Sequence, residues 1–142
     1  RYIAGNAGVL LTECLYEKKG SAKTFKVVDA GMNDLIRPAL YEGHHEIVPL
    51  AEPTKSTPHL AMDVVGPICE TGDFFCQNRE LPNFEEGEVV ALLSSGAYGF
   101  VMASNYNTRG LPAEVLIDGS MSKIVRPRQT VEDILASEIA TL

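Results

Sequence analysis

The chain has 142 residues, 45% of them hydrophobic and 22% charged, proportions that suit one packed core and argue against a disordered polymer. Its net charge is −7 and its basic residues are scattered, so no Lys/Arg stripe is available to neutralise a phosphate backbone and nucleic acid is not an expected partner. Three cysteines without short paired spacings, Cys14, Cys69 and Cys76, speak against a secreted disulfide framework and for a reducing cytoplasm, and no run reaches the roughly 20 apolar residues that span a bilayer.

Residues 1–16 are apolar and rich in small side chains, and the steps between Val9, Leu11 and Leu15 predict a buried strand. FKVVD, residues 25–29, predicts a second strand that ends at Ala30 and Gly31. Residues 32–41 hold helix-forming side chains interrupted by Pro38, which predicts a short turn of helix and a restart with proline in its first turn. Arg37 and Tyr41, four apart, would then share a side of that helix. Residues 45–50 and 60–65 predict further strands around a loop at 53–58. Residues 88–93 form a nearly continuous apolar run, the pattern of a strand buried on both faces or inside a barrel, and stop at Ser94, Ser95 and Gly96.

Residues 113–117 and 123–125 predict two more strands joined through Asp118 and Gly119, a dipeptide that favours a tight hairpin. Thr130 can cap a closing helix, with Asp133 three residues on and Val131, Ile134, Leu135, Ile139 and Leu142 forming its stripe. Many short strands with little helix predict a mainly β fold, a closed or nearly closed barrel or sandwich with short helices, because closure removes exposed strand edges.

Three places could carry chemistry. Cys69-Glu70-Thr71-Gly72-Asp73 puts a thiol, two carboxylates and a glycine in five residues; these alone fit either a positioned thiol or a buried cysteine beside a solvated acidic turn. Arg37 offers a planar donor fork for a carboxylate and Tyr41 a hydroxyl, with a plain surface salt bridge as the alternative. Gly96-Ala97-Tyr98-Gly99 would expose an aromatic ring near Asn105, Tyr106 and Asn107, or pack it in a glycine-rich turn. His44, His45 and His59 make no zinc spacing with the cysteines, so no metal is expected. Neither glycine motif is a phosphate loop or dinucleotide fingerprint, and no serine nucleophile elbow is present.

In this order, GNAGVLLTE (5–13), VVDAGMNDLIRPALY (27–41), DVVGPICETGDFF (63–75) and GAYGFVMASNYN (96–107) resemble successive signatures of the C-terminal β-domain of the diaminopimelate decarboxylase family, fold-type III decarboxylases that use pyridoxal 5′-phosphate. The resemblance runs from Arg1 to about Ile134 and makes residues 1–142 that domain. It implies an enzyme that converts meso-diaminopimelate to L-lysine and carbon dioxide in lysine biosynthesis, in the cytoplasm. It also implies a homodimer, with an (α/β)₈ barrel holding the cofactor on a lysine and each site completed by the partner's β-domain. Arg1, Arg37 and Tyr41 match substrate-carboxylate contacts, Glu70 the group that receives the distal ammonium, and Cys69 the thiol that returns a proton after carbon dioxide leaves. Tyr98 matches an aromatic residue touching both cofactor and substrate.

There are departures. Residues 108–112 are poorer in arginine and proline than the family's usual segment, and none of Lys18, Lys19, Lys23, Lys26, Lys55 and Lys123 stands in the cofactor-lysine context. A start at Arg1 without methionine reads as a fragment, which alone is expected to be inactive. A sister decarboxylase for ornithine, arginine or carboxynorspermidine is the second enzyme reading, and Arg37 argues against substrates without a distal carboxylate. A non-catalytic β-barrel that only binds or dimerises is the third, and it leaves the CETGD cluster without a role.

Overall fold

The computed structural model describes residues 2–141, and the chain divides into two compact units, Arg1–Ala103 and Ser104–Leu142. The first holds strands β1 (Leu10–Lys19), β2 (Thr24–Val28), β3 (Ile47–Pro49), β4 (His59–Val65), β5 (Phe74–Pro82) and β6 (Val89–Leu92), with helix α1 (Arg37–Tyr41) between β2 and β3. They form one sheet in the order β3-β6-β1-β2-β4-β5. Every neighbouring pair is antiparallel except β2 and β4, which run parallel. The two edges come together through a side chain: Arg79 of β5 donates from Nη2 to the carbonyl of His45, just before β3, at 2.7 Å. The result is the nearly closed barrel that the many short strands predicted.

Cys14, Val28, Leu35, Ile47, Met62, Val64, Phe75, Val90 and Leu92 fill the interior, and the apolar run at 88–93 supplies its most continuously buried strand. β1 reverses an expectation. Val9, Leu11 and Leu15 are exposed, while Thr12 and Cys14 face inward. In a strand a one-residue shift exchanges the faces, and the inward position is set by hydrogen bonding. Thr12 Oγ1 donates to Asp29 Oδ1 and accepts from the amide of Ala30 at 2.9 Å, which pins the chain as it leaves β2. A 3₁₀ turn at Gly5–Ala7, not a strand, precedes β1.

β5 has no counterpart in the sequence reading. Its register against β4 slips near Asp63, Asn78 adopts φ +47°, and the Asn78 amide bonds to Asp63 Oδ1. This bulge resets the period-two alternation within the polar stretch Gln77-Asn78-Arg79-Glu80, so no strand pattern survives.

The second unit contains a hairpin, β7 (Glu114–Asp118) and β8 (Met121–Arg126), and helix α2 (Val131–Ile139). Gly119 at φ +59° begins the hairpin turn, the position where a left-handed backbone favours glycine. Thr130 and Asp133 form the expected capping box, with the Thr130 amide donating to Asp133 Oδ2 at 2.8 Å and the Asp133 amide donating to Thr130 Oγ1 at 3.2 Å. Leu142, the last residue of the predicted stripe, lies outside the described residues. Among the described residues no helix is long and apolar enough to cross a membrane.

The barrel encloses one ammonium group. Lys26 of β2 is fully buried, lies directly across from Glu17 of β1, and forms an ion pair with it. Its Nζ also donates to the carbonyl of Phe84 and sits 5.4 Å from that ring's centroid. Hydrogen bonds from Lys26 first and Lys19 second hold the Glu17 carboxyl below its ordinary value of 4.5. A depressed carboxylate stabilises the fold above its unfolded pKa, and that stabilisation disappears as pH falls through the lower folded value. Glu17→Gln is expected to cost about 1–3 kcal/mol near neutral pH, less than the loss for a fully enclosed pair because water reaches Glu17. Denaturant titrations from pH 7 to pH 3 should show the variant losing less stability on acidification than the parent.

Candidate functional site

Four loops of the first unit carry the side chains of interest, and hydrogen bonds join them in two pairs. The segment between β2 and α1 turns at Gly31, whose amide donates to Asp34 Oδ2 at 2.8 Å. The β4–β5 loop, residues 66–73, contains Cys69 and Glu70. Asp73 at its end is buried and accepts two amides, Ile68 at 2.6 Å within its own loop and Met32 at 2.7 Å from the segment before α1. The two loops therefore share one carboxylate. Gly66 makes room for it, because a Cβ there would lie 2.4 Å from both Asp73 oxygens.

The glycine motifs at 5–8 and 96–99 fold against each other. Ser95 donates its amide to Gly8 at 2.8 Å, and Gly96 donates to Gly5 at 3.1 Å. A Cβ on Gly96 would stand 2.1 Å from the carbonyl of Ala4, so the two chains approach as closely as bare backbone allows. Beyond this contact Tyr98 takes φ +60° with its ring half exposed. A bulky residue in left-handed backbone is a strained choice, and such strain persists where the surroundings fix it.

α1 begins at Arg37 with Pro38 in its first turn and ends through Glu42 at φ +54°, a left-handed cap. A separate turn at 32–34 precedes it, so the expected short turn and restart, with proline in the first turn of the second piece, are both present. Arg37 is buried and its Nη1 donates to His45 Nε2 at 2.9 Å, so it is no surface salt bridge. Tyr41 is exposed, with its hydroxyl 3.8 Å from Met102 Sδ. Glu70 is exposed too and accepts weakly from the Gly72 amide at 3.4 Å.

Cys69 is the exposed member of the three free thiols. Burial pushes the Cys14 and Cys76 thiols above their ordinary range, which makes those two unreactive packing groups. Cys69 borders an open groove of about 410 Å³ lined by Tyr16, Phe25, Val65, Pro67 and Ile68. The loops of Cys69, Glu70 and α1 are thus tied together at Asp73, while Arg1 lies outside the described residues. Among the described residues no hydrogen bond joins Cys69, Glu70, Tyr41 and Tyr98 to one another. Sequence reading missed the burial of Asp73 and the pairing of His45 with Arg37. The buried pattern of β4 leading into a glycine was the available signal for the first, and nothing local signalled the second.

The family model for the pyridoxal-dependent decarboxylase C-terminal sheet domain matches residues 1–96. The chain belongs to this family. It is 54% identical over 138 residues to diaminopimelate decarboxylase of Pseudomonas fluorescens, covering 97% of this chain and 32% of that protein. A crystal structure from Aquifex aeolicus superposes with a TM-score of 0.92 at 46% identity, over 96% of this chain and 34% of the other. Diaminopimelate decarboxylase of Helicobacter pylori complexed with L-lysine gives 0.88 at 40% identity, over 99% and 34%. The chain therefore spans about a third of the length of the relatives it matches.

Pyridoxal phosphate needs a lysine that can present an uncharged amine in an enclosed site. Lys26 is enclosed but bound to Glu17 and Phe84, Lys19 and Lys23 pair with Glu17 and Asp63, and Lys18, Lys55 and Lys123 are exposed. The lysines of this chain do not fit the cofactor's covalent anchor. What the family domain offers is a set of exposed groups on anchored loops: a thiol, a carboxylate and a phenol on segments tied at Asp73, and an aromatic ring beside the paired glycine motifs.

That joining is testable. Asp73→Ala leaves the amides of Ile68 and Met32 without their acceptor and is expected to cost about 2–6 kcal/mol, given roughly 1–3 kcal/mol for each unpaired buried group. Hydrogen exchange at those two amides should accelerate more than at β6, whose ladder does not involve Asp73.

Proposed function

We propose that this chain is the C-terminal domain of a diaminopimelate decarboxylase and supplies substrate-binding and proton-donating groups to a site whose cofactor lysine lies outside residues 1–142. The observation that carries this is the identity of 54% over nearly the whole chain, with the loop of Cys69 and Glu70 and the segment before Arg37 brought together at one carboxylate. When bound, pyridoxal phosphate supplies the electron sink for the pair released with carbon dioxide. The residues of this chain bind, orient and protonate. Arg37 holds the distal carboxylate of meso-diaminopimelate through its fork, with Tyr41 beside it. Glu70 receives the distal ammonium, and together these choose which end of a nearly symmetric substrate reacts. Cys69, an exposed thiol on a fixed loop, returns the proton to the carbon that lost carbon dioxide, giving L-lysine. Tyr98 packs its ring on cofactor and substrate. Arg1 joins the carboxylate contacts, and the partner is a second copy of the same protein in the cytoplasm.

In the full-length enzyme Arg37→Ala is expected to lower kcat/KM by about 2–4 kcal/mol, the scale for breaking a buried charged pair, and Tyr41→Phe by less. Steady-state kinetics check this, and a loss under about tenfold for Arg37→Ala would make that residue structural.

Catalysis across the dimer interface has its own test. A Cys69→Ala protomer mixed with one lacking the cofactor lysine places both lesions in the same composite site of each heterodimer and leaves the other site whole. Random exchange makes about half the dimers mixed, so activity should recover to roughly a quarter of the parent. No recovery after demonstrated subunit exchange would put Cys69 and the lysine of one chain in the same site.

A further inference from the structure

We propose that His45 is the positioning residue for Arg37: it fixes the guanidinium so that its remaining donors meet the distal carboxylate of the substrate. The inference rests on the reading of Arg37 given above and adds a residue to it.

The geometry settles the role of each nitrogen. His45 Nδ1 lies 2.8 Å from the carbonyl of Leu93, and a carbonyl oxygen can only accept, so Nδ1 carries the proton. Nε2 is then a lone pair. It lies 2.9 Å from Arg37 Nη1, and guanidinium is always charged and only donates. The relay therefore runs in one direction, from Arg37 to His45 to Leu93, and demands the neutral imidazole in the Nδ1–H form.

The backbone that carries the ring is held as well. The carbonyl of His45 accepts from Arg79 at 2.7 Å, and the carbonyl of the next residue, Glu46, accepts the Leu93 amide at 2.8 Å. His45 is 1% exposed and Arg37 7% exposed, so water does not substitute freely for either bond. Arg37 otherwise stands on a five-residue helix, too short to be stable on its own, at the end of a side chain with large rotamer freedom. Of the five guanidinium N–H groups in the general inventory, the bond to His45 uses one at Nη1 and leaves others for a planar bidentate contact. A fork whose orientation is fixed before binding loses less freedom when the carboxylate arrives.

The test uses the full-length enzyme with His45→Leu, His45→Gln and Arg37→Ala, and two competitive inhibitors. L-Lysine retains the carboxylate that Arg37 is read to bind, and 1,5-diaminopentane lacks it. His45→Leu is expected to weaken L-lysine inhibition and raise KM for meso-diaminopimelate about tenfold, the scale of one hydrogen bond to a charged group. Inhibition by the diamine and kcat should stay within about twofold. His45→Gln, whose amide can accept from Arg37 and donate to Leu93, should recover most of the loss. Equal weakening of both inhibitors, or no weakening, overturns the positioning role.

If Arg37→Ala abolishes the preference for L-lysine while His45→Leu keeps it, the positioning role falls and the reading of Arg37 stands. If Arg37→Ala itself keeps the preference, both fall. Should His45→Leu fail to fold, the ring ¹⁵N signals of His45 in the unmodified enzyme decide: an unprotonated Nδ1 overturns the relay, and a protonated Nδ1 beside an unprotonated Nε2 supports it.

Discussion

The carboxylate of Asp73 is the interaction on which the arrangement of this rim depends. It accepts amides from two segments more than thirty residues apart in sequence, Met32 and Ile68, and so turns two independent loops into one element. Loops ordinarily move more than the strands that carry them. Here the exposed thiol of Cys69 and the helix that starts at Arg37 inherit the rigidity of β2, β4 and β5, because each loop is anchored at a strand end and again at the shared carboxylate. The requirement for small residues follows from the same contact, since Gly66 gives the carboxylate the space it occupies.

The barrel beneath the rim is built with polar groups inside it. Thr12 receives and donates at the exit from β2, Lys26 is enclosed with Glu17 and Phe84, and Arg79 joins the two sheet edges by a side chain instead of a ladder. Each of these removes polar groups from water and compensates them with partners, a requirement for burial in a medium of low dielectric constant. The chain that Arg79 closes is also the one that supports His45, so edge closure and orientation of the Arg37 fork share a residue.

Much of this was legible in the sequence, for identifiable reasons. The run at 88–93 announced a buried strand because both faces of β6 meet apolar neighbours. Thr130 and Asp133 announced α2 because a capping box is a local device that needs no tertiary context. β1 was found but with its faces exchanged, since the pattern of Val9, Leu11 and Leu15 cannot reveal that a threonine hydroxyl is wanted inside. β5 was not found because a bulge at Asn78 breaks the alternation by which a strand is recognised. The motifs with Cys69, Arg37 and Tyr98 stood out as residue types. The burial of Asp73 and the bond between Arg37 and His45 did not, because both depend on pairings that only the closed barrel creates.

The contact of Gly96 with Ala4 has a consequence for how such a domain can diverge. A Cβ at position 96 would collide with a carbonyl oxygen, not with a side chain. Crowding between two side chains can be relieved by trimming the neighbour, so a sequence can drift through paired exchanges. A main-chain oxygen is present whatever residue occupies position 4, and no exchange there clears the space. Evolution would therefore find position 96 locked by geometry alone, and a glycine kept there across relatives would record the path of the backbone, not a part in the chemistry.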